Sequence, residues 1–296
     1  MNRDKTYGYI AIILAMLLWS FSFIWSKLAF ETYNPFTVLV FRLSIAAVSL
    51  IILSISIGKL QRINKEDYKV ILLLSLFEPF LYFIGESIGL QYVSASTASI
   101  IISTIPLFMP IIGFIFFKEL LKRNNIIGVL ISFIGVLLVV VNKDFSITGE
   151  LIGFAFLFLA VFSALGYTVI IKKVTYKYNT FTIVSWQNII ASLAFLPFFL
   201  YFDYQKFMDV GVFNSNFIYI ILLAIMASNG AFLLYTYAFK HFRVSQIGLF
   251  TNLIPIFTLF VSFYVFDEQL DTLKYLGIGF VILGLFISER KRKNIK

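Results

Sequence analysis

Apolar stretches of 18 residues or more recur from one end of this chain to the other, and that feature restricts the folds open to it. Inside hydrocarbon every backbone N–H and C=O must find a partner within the protein, so such stretches cross as α-helices or as closed β-barrels. Barrel strands run for about 10 residues and alternate apolar with polar. These stretches are longer and do not alternate. Of the 296 residues 60% are hydrophobic and 13% charged, against roughly a quarter charged in a soluble globule. The sequence predicts an all-α, multi-pass membrane protein with ten spans, at roughly 7–28, 35–57, 68–91, 94–117, 124–142, 149–171, 180–202, 217–239, 244–266 and 271–289. The first apolar run is too long for a signal-peptide core and lacks an A-x-A-like cleavage site, so it is expected to be a span. The longest predicted connection, Asp203 to Asn216, leaves no room for a soluble domain.

The net charge of +9 would suit a nucleic-acid binder if the charges shared one surface, but they lie in the short connections. With the N-terminus on the cytoplasmic side, Lys27, Lys143, Lys206 and Lys274 fall outside and Arg42 falls within a span. The rest of the 24 Lys and Arg residues fall inside. The positive-inside rule then puts both termini in the cytoplasm. No nucleic-acid partner is expected. The Arg290–Lys296 tail reads as an orientation signal and a contact for anionic lipid.

Residues 92–139 have a divergent copy at 241–288, offset by 149 positions. Pro106 matches Pro255, Glu119 matches Glu268, and Gly128 and Gly135 match Gly277 and Gly284. Apolar bias alone would not keep Pro, Glu and two Gly in one register. Earlier in the chain, Asn34-Pro35-Phe36-Thr37 resembles Asn179-Thr180-Phe181-Thr182 at an offset of 145, and Lys27 matches Lys172. The chain therefore reads as two five-helix repeats, residues 1–145 and 146–296. Five is odd, so the second repeat enters the membrane inverted. Inverted repeats are frequent in secondary transporters, whose substrate site lies near the midplane between them.

Ten spans in two inverted halves, Leu17-Leu18-Trp19-Ser20, Phe41-Arg42, and the series Ser94-Ala95-Ser96, Ala98-Ser99, Pro106, Lys118-Glu119, Gly128 and Gly135 together resemble the EamA-like family of the drug/metabolite transporter superfamily. The resemblance covers essentially the whole chain. It implies export of amino acids or other small metabolites, in several relatives driven by protons. It also implies a central cavity lined by spans 1, 3, 6, 8 and 9.

Glu78 and Glu86 are the acidic residues set well inside a span. Ionisable groups there are expensive and are generally paired or functional. Low-dielectric burial favours the neutral form of a carboxyl group, so both are candidates for proton coupling or for anchoring a substrate amine. The alternative is a hydrogen-bonded carboxyl that fixes two helices. At 1.5 Å per residue they lie about 12 Å apart along the helix, rotated about 80° beyond two turns, and flank one side of it. Pro79 disfavours helix at Glu78 and removes a backbone donor, so a kink that frees a carbonyl toward the cavity is expected there. Arg42 is expected to pair with Glu86 or to snorkel to the outer headgroups, ahead of contacting a substrate carboxylate.

Ser103 and its repeat counterpart Asn252 each precede a matched proline, Pro106 or Pro255, by three residues, and are candidate polar groups in the cavity. Small residues at four-residue spacing, such as Ala95 and Ser99, favour close helix packing. Trp19, Ser22, Tyr82, Tyr167, Asn229, Tyr235 and Gln246 complete the candidate lining, a mostly apolar pocket with few polar groups that suits an amphipathic ligand. With 36 Phe and 16 Tyr in the chain, any one aromatic residue serves equally well against lipid or core.

There is no Cys and one His, so neither a metal site nor a cofactor is expected. No phosphate-binding loop, H-E-x-x-H or nucleophile elbow is present, which argues against an ATPase or another enzyme. One intramembrane Arg provides little fixed charge for phosphorylated substrates. The expectation is a plasma (inner) membrane secondary transporter that exports an amino acid or similar amphipathic metabolite by alternating access, with protons as possible coupling partners, working as a monomer or homodimer in the bilayer. A passive facilitator, or a carrier of nucleobases, vitamins or drugs, is the alternative.

Overall fold

The computed structural model describes residues 3–120, 123–140, 151–242, 244–251, 253–267 and 272–289. Among them all regular structure is helical. Seven helical stretches are long and apolar enough to cross a membrane: Thr6–Phe30, Pro35–Ser56, Lys65–Tyr92, Ala95–Phe117, Leu151–Val174, Thr180–Val210 and Phe217–His241. Shorter apolar helices occupy Arg123–Gly135, Leu253–Phe266 and Thr272–Gly284. Asn252, the Gln246 side chain and the Arg290–Lys296 tail lie outside the described residues.

The first long helices, α1 (Arg3–Phe30) and α2 (Pro35–Ser56), are unbroken. Pro35 opens α2 at a position where its missing N–H costs nothing. The next stretch is not continuous. A short α3 (Tyr68–Ser75) passes through a π-helical turn, Leu76–Leu81, into α4 (Tyr82–Tyr92). Glu78 sits in that turn with extended backbone, φ −146° and ψ 121°, as its position before Pro79 requires. The stretch after it is also divided. The Ser94 hydroxyl caps α5 (Ala95–Ile102) by accepting from the Thr97 N–H, and α5 stops at Ser103-Thr104 before α6 (Ile105–Phe117). Pro106 is in the first turn of α6. The two hydroxyls at the break, Ser103 Oγ and Thr104 Oγ1, donate back to the Ile100 and Ile101 carbonyls at 2.6 and 2.7 Å.

The first half ends with α7 (Arg123–Val140), and the second opens with α8 (Leu151–Val174) and α9 (Thr180–Phe198), the last capped by Asn179 Oδ1 accepting from the Thr182 N–H. The expected Asp203–Asn216 connection is partly helical: α9 runs through a π turn, Phe199–Asp203, into α10 (Tyr204–Val210). The Phe207 ring packs 4.6 Å from Phe41 and 5.6 Å from Phe199, which anchors α10 to the bundle. Gly211 ends it at φ +68°, a left-handed conformation that suits glycine. Then come α11 (Phe217–Leu222), a π-helical segment Leu223–Ala231, α12 (Phe232–His241), α13 (Val244–Thr251), α14 (Leu253–Phe266) and α15 (Thr272–Glu289). Pro255 lies buried in the first turn of α14.

Helices from opposite halves of the chain pack together: α2 on α9, α7 on α15, α4 on α8, α1 on α12, α5 on α14 and α6 on α13. The α7–α15 contact is made by glycines. A Cβ on Gly135 would stand 2.6 Å from the Gly277 carbonyl, and one on Gly284 would stand 2.5 Å from the Gly128 carbonyl. Between them Ser132 Oγ donates to the Val281 carbonyl at 3.0 Å.

Candidate functional site

The break at Glu78 has to be reconciled with a dry interior, because carbonyls released from a helix need donors there. The Phe77 carbonyl keeps a backbone donor, the Tyr82 N–H, and two side chains from the other half add donors at this turn. Ser163 Oγ on α8 donates to the Phe77 carbonyl. Gln187 Nε2 on α9 donates to the Glu78 carbonyl at 2.7 Å. The Glu78 carbonyl thus turns to α9. The backbone is stitched, and the carboxyl is left to face inward.

It faces a cavity of about 40 Å³ lined by Trp19, Ser22 and Phe23 of α1, Arg42 of α2, Glu78, and Tyr82, Phe83 and Glu86 of α4. Ile102, Ile105, Ala164, Phe232, Tyr235, Thr251 and Ile254 close it. Two carboxyls, one guanidinium and several rings from both halves therefore share one small chamber. Glu78 is 6% exposed, Glu86 4% and Arg42 2%.

Each charged group is held differently. Arg42 Nε donates to Ser228 Oγ at 2.7 Å, and its guanidinium carbon lies 4.1 Å above the Phe83 ring. It is fixed by a hydroxyl and an aromatic face rather than by an ion pair with Glu86, and it is too deep to snorkel. Both carboxyls act on it across the cavity. The Tyr82 side chain, one turn earlier on α4, engages Glu86. The Trp19 ring stands edge-on to Tyr235 at 4.7 Å and to Phe232 at 5.2 Å. Ser22 returns its hydroxyl to the Trp19 carbonyl at 2.7 Å.

Of the residues predicted from sequence, Glu78, Glu86, Arg42, Trp19, Ser22, Tyr82 and Tyr235 converge on this cavity. Others do not. Ser103 is spent on its own helix end. Asn229 ties three elements together, accepting from Asn188 Nδ2 at 2.9 Å and donating to the Ala46 carbonyl and Ser49 Oγ at 3.1 and 3.0 Å. Tyr167 is buried beside Thr236 and Gln187, away from the lining. Sequence reasoning missed Gln187, Ser163, Ser228, Phe83, Phe232 and Thr251. Gln187 carried a usable signal, a large amide within an apolar run, whereas Ser163 and Ser228 are indistinguishable from packing serines. Among the described residues no cluster of three or more His, Cys, Asp or Glu is placed to hold a metal.

Polar ties join the halves at the two ends of the bundle. At one end Lys177 Nζ meets Asp67 Oδ1 at 2.8 Å, and the Tyr178 hydroxyl donates to Asp67 Oδ2 at 2.6 Å. The Lys177 hydrogen bond, then that from Tyr178, holds the Asp67 carboxyl below its ordinary range. Asn179 N–H donates to Gln61 Oε1 at 2.7 Å, and its Nδ2 to the Lys59 carbonyl at 2.6 Å. At the other end Asp203 Oδ2 accepts from the Thr37 N–H at 2.8 Å. Lys206 Nζ donates to Asn34 Oδ1 at 2.8 Å, and the Tyr33 hydroxyl to the Gly211 carbonyl at 2.9 Å.

The chain as a whole is similar to known proteins. The EamA-like transporter family model matches residues 6–141 and again residues 151–289. An uncharacterized transporter of Archaeoglobus fulgidus is 26% identical over 284 residues, covering 96% of this chain and 99% of its own length. The uncharacterized transporter YetK of Bacillus subtilis is 26% identical over 299 residues, with coverage of 98% and 89%. A solved crystal structure superposes with a TM-score of 0.73 over 96% of each chain at 14% identity, a likeness of fold alone. The matches together span nearly every described residue, and this multi-pass membrane protein belongs to the EamA-like transporter family.

Proposed function

We propose that the chain is a secondary active transporter that exports a small amphipathic metabolite, an amino acid or a similar amine-bearing compound, across the plasma membrane by alternating access coupled to protons. The observation that carries this reading is the burial of Glu78, Glu86 and Arg42 in one aromatic chamber bounded by both halves of the chain. In a dry site charges must balance. Arg42 balances one carboxylate. The other is accommodated only when protonated or when paired with a cation from the substrate. A proton and a substrate amine then compete for the same carboxyl, so entry of one drives release of the other. Rings of Trp19, Tyr82 and Tyr235 suit the apolar body and the cationic head of such a ligand.

The same reading takes the chain as ten spans in two inverted repeats, residues 1–145 and 146–296, with both termini cytoplasmic. Its support is the exchange symmetry of the packing. α2–α9 and α7–α15 join repeat counterparts, while α4–α8 corresponds to α12–α1 and α5–α14 to α13–α6. A 40 Å³ chamber is far below the roughly 300–1,000 Å³ of small-ligand sites. Loading therefore requires the halves to part at one end while the other stays fastened.

The test is counterflow of labelled amino acids in proteoliposomes, with and without an imposed pH gradient. Wild-type protein should show transient accumulation that rises with the gradient. Glu78→Gln and Glu86→Gln should each cut gradient-driven accumulation at least about tenfold, which is ~1.4 kcal/mol. Full gradient-driven transport in both variants would sink the coupling assignment.

A further inference from the structure

Between α3 and α9, at the end of the bundle where Lys177 meets Asp67, an open apolar groove of about 400 Å³ is lined by Ile63, Tyr68, Ile71, Leu72, Trp186 and Ile190. Tyr68, Leu72 and Trp186 are exposed. The groove begins where the chain enters α3 and follows α9 inward. Ile190 lies about 15 Å from the start of α9 at 1.5 Å per residue, half of the roughly 30 Å hydrocarbon core. The groove therefore has the reach of one lipid leaflet.

The opposite half of the molecule shows what such a groove takes. Phe41 and Ile45 stand 145 positions before Trp186 and Ile190, and Phe217 stands 149 after Tyr68. There the space belongs to α10. Its Phe207 ring lies 4.6 Å from Phe41, which meets Phe217 at 5.7 Å, and Phe207, Val210 and Ile45 pack on one apolar cluster. The position 145 before Phe207 is Arg62, which is exposed, and residues 57–64 form no helix. No side chain equivalent to Phe207 fills the groove at the Arg62 end, and its apolar walls stand open. Walls without neighbours forfeit dispersion contacts, so in a bilayer hydrocarbon enters.

The mouth of the groove selects the lipid. Arg62, Lys65 and Lys69 flank Ile63 and Tyr68 in the chain and are exposed. Among the described residues none of the three forms an ion pair. Of the two carboxylates beside them, Asp67 is taken by Lys177 and Tyr178, which leaves Glu66 against three cations. Basic side chains at a membrane surface attract anionic lipid, and here a groove for the chain opens next to them. We propose that the groove holds an acyl chain of one anionic phospholipid whose phosphate is bound by Arg62, Lys65 and Lys69. Such a lipid braces the interrupted α3–α4 stretch against α9. The site is separate from the central chamber and does not depend on the transport assignment.

The test uses the full chain in phosphatidylcholine nanodiscs doped with phosphatidylglycerol or phosphatidylcholine carrying brominated acyl chains, which quench tryptophan fluorescence on contact. The difference between wild type and Trp186→Phe isolates the Trp186 signal. Half-quenching should come at a mole fraction at least about fivefold lower for brominated phosphatidylglycerol. The triple variant Arg62→Gln, Lys65→Gln, Lys69→Gln should abolish that preference. Lys173→Gln, an exposed cation in the last turn of α8 and outside the groove lining, should leave it intact. Equal quenching by both lipids, a preference that survives the triple variant, or an equal loss in Lys173→Gln overturns the site. Quenching by neither lipid shows that something else covers the groove, and overturns it too. If Trp186→Phe folds poorly, native mass spectrometry replaces the difference signal: wild type should retain one phosphatidylglycerol that the triple variant loses, and equal retention overturns the proposal.

Discussion

Asp203 shows how a single buried carboxylate can organise distant backbone. It is 3% exposed, and Oδ2 accepts from the Thr37 N–H at 2.8 Å, one of the donors that the start of α2 leaves free. The positive end of the helix dipole favours the charge there. The sequence places Asp203 in a connection, and nothing local to it points to residue 37. Asp203→Ala should therefore destabilise the protein by about 1–3 kcal/mol, read as a lower thermal unfolding midpoint in detergent. A midpoint equal to wild type would show that the carboxylate contributes nothing as a cap. Arg42 makes the same point. Its depth in the span was legible, but its partners Ser228 and Phe83 come from elements whose approach no local pattern encodes.

At the level of elements, interruption recurs at particular places. The α3–α4 break was legible, because Pro79 bars helix at the residue before it. The α5–α6 break was less so: Pro106 signals a helix start, but the turn at Ser103-Thr104 depends on both hydroxyls folding back onto carbonyls. Gly128, Gly135, Gly277 and Gly284 stood out in the sequence as repeated positions, and the structure supplies their physical reason, the close approach of α7 and α15. Gly284→Leu would drive a side chain against the Gly128 carbonyl and Ser132, and such overpacking typically costs about 1–3 kcal/mol. Gly279 is the control on the same helix, since nothing lies within 4 Å of a Cβ placed there. Thermal unfolding in detergent should show a clear loss for Gly284→Leu and none for Gly279→Leu. Equal midpoints would mean that the α7–α15 contact is not tight.

For the whole molecule, the ties at the two ends use residues 145 apart in sequence: Tyr33 and Tyr178, Asn34 and Asn179. An inverted repeat would put one set at each face of the membrane, each fastening the two halves. The chain has no Cys, so one introduced thiol reports sidedness cleanly. Phe213 is 100% exposed and Tyr176 76% exposed, near opposite ends. In intact cells a membrane-impermeant maleimide should label Phe213→Cys directly and Tyr176→Cys after permeabilisation. Labelling of both from one side would overturn the inverted arrangement.

That this chain is a bundle of apolar helices could be read from its residues alone, because apolar runs this long and without alternation satisfy their backbone in lipid as helices. The sequence also marked Glu78 and Glu86 as costly enough to need a purpose. The tertiary structure decided which polar groups meet. It brought Arg42 into the same chamber as both carboxyls and gave Ser163 and Gln187 the carbonyls of the broken helix. It also drew Asn229 and Ser103 away into packing. Periodicity and hydropathy fix where a residue lies along its own helix. Which face of which other helix it meets depends on long-range packing, and a single span carries no record of that.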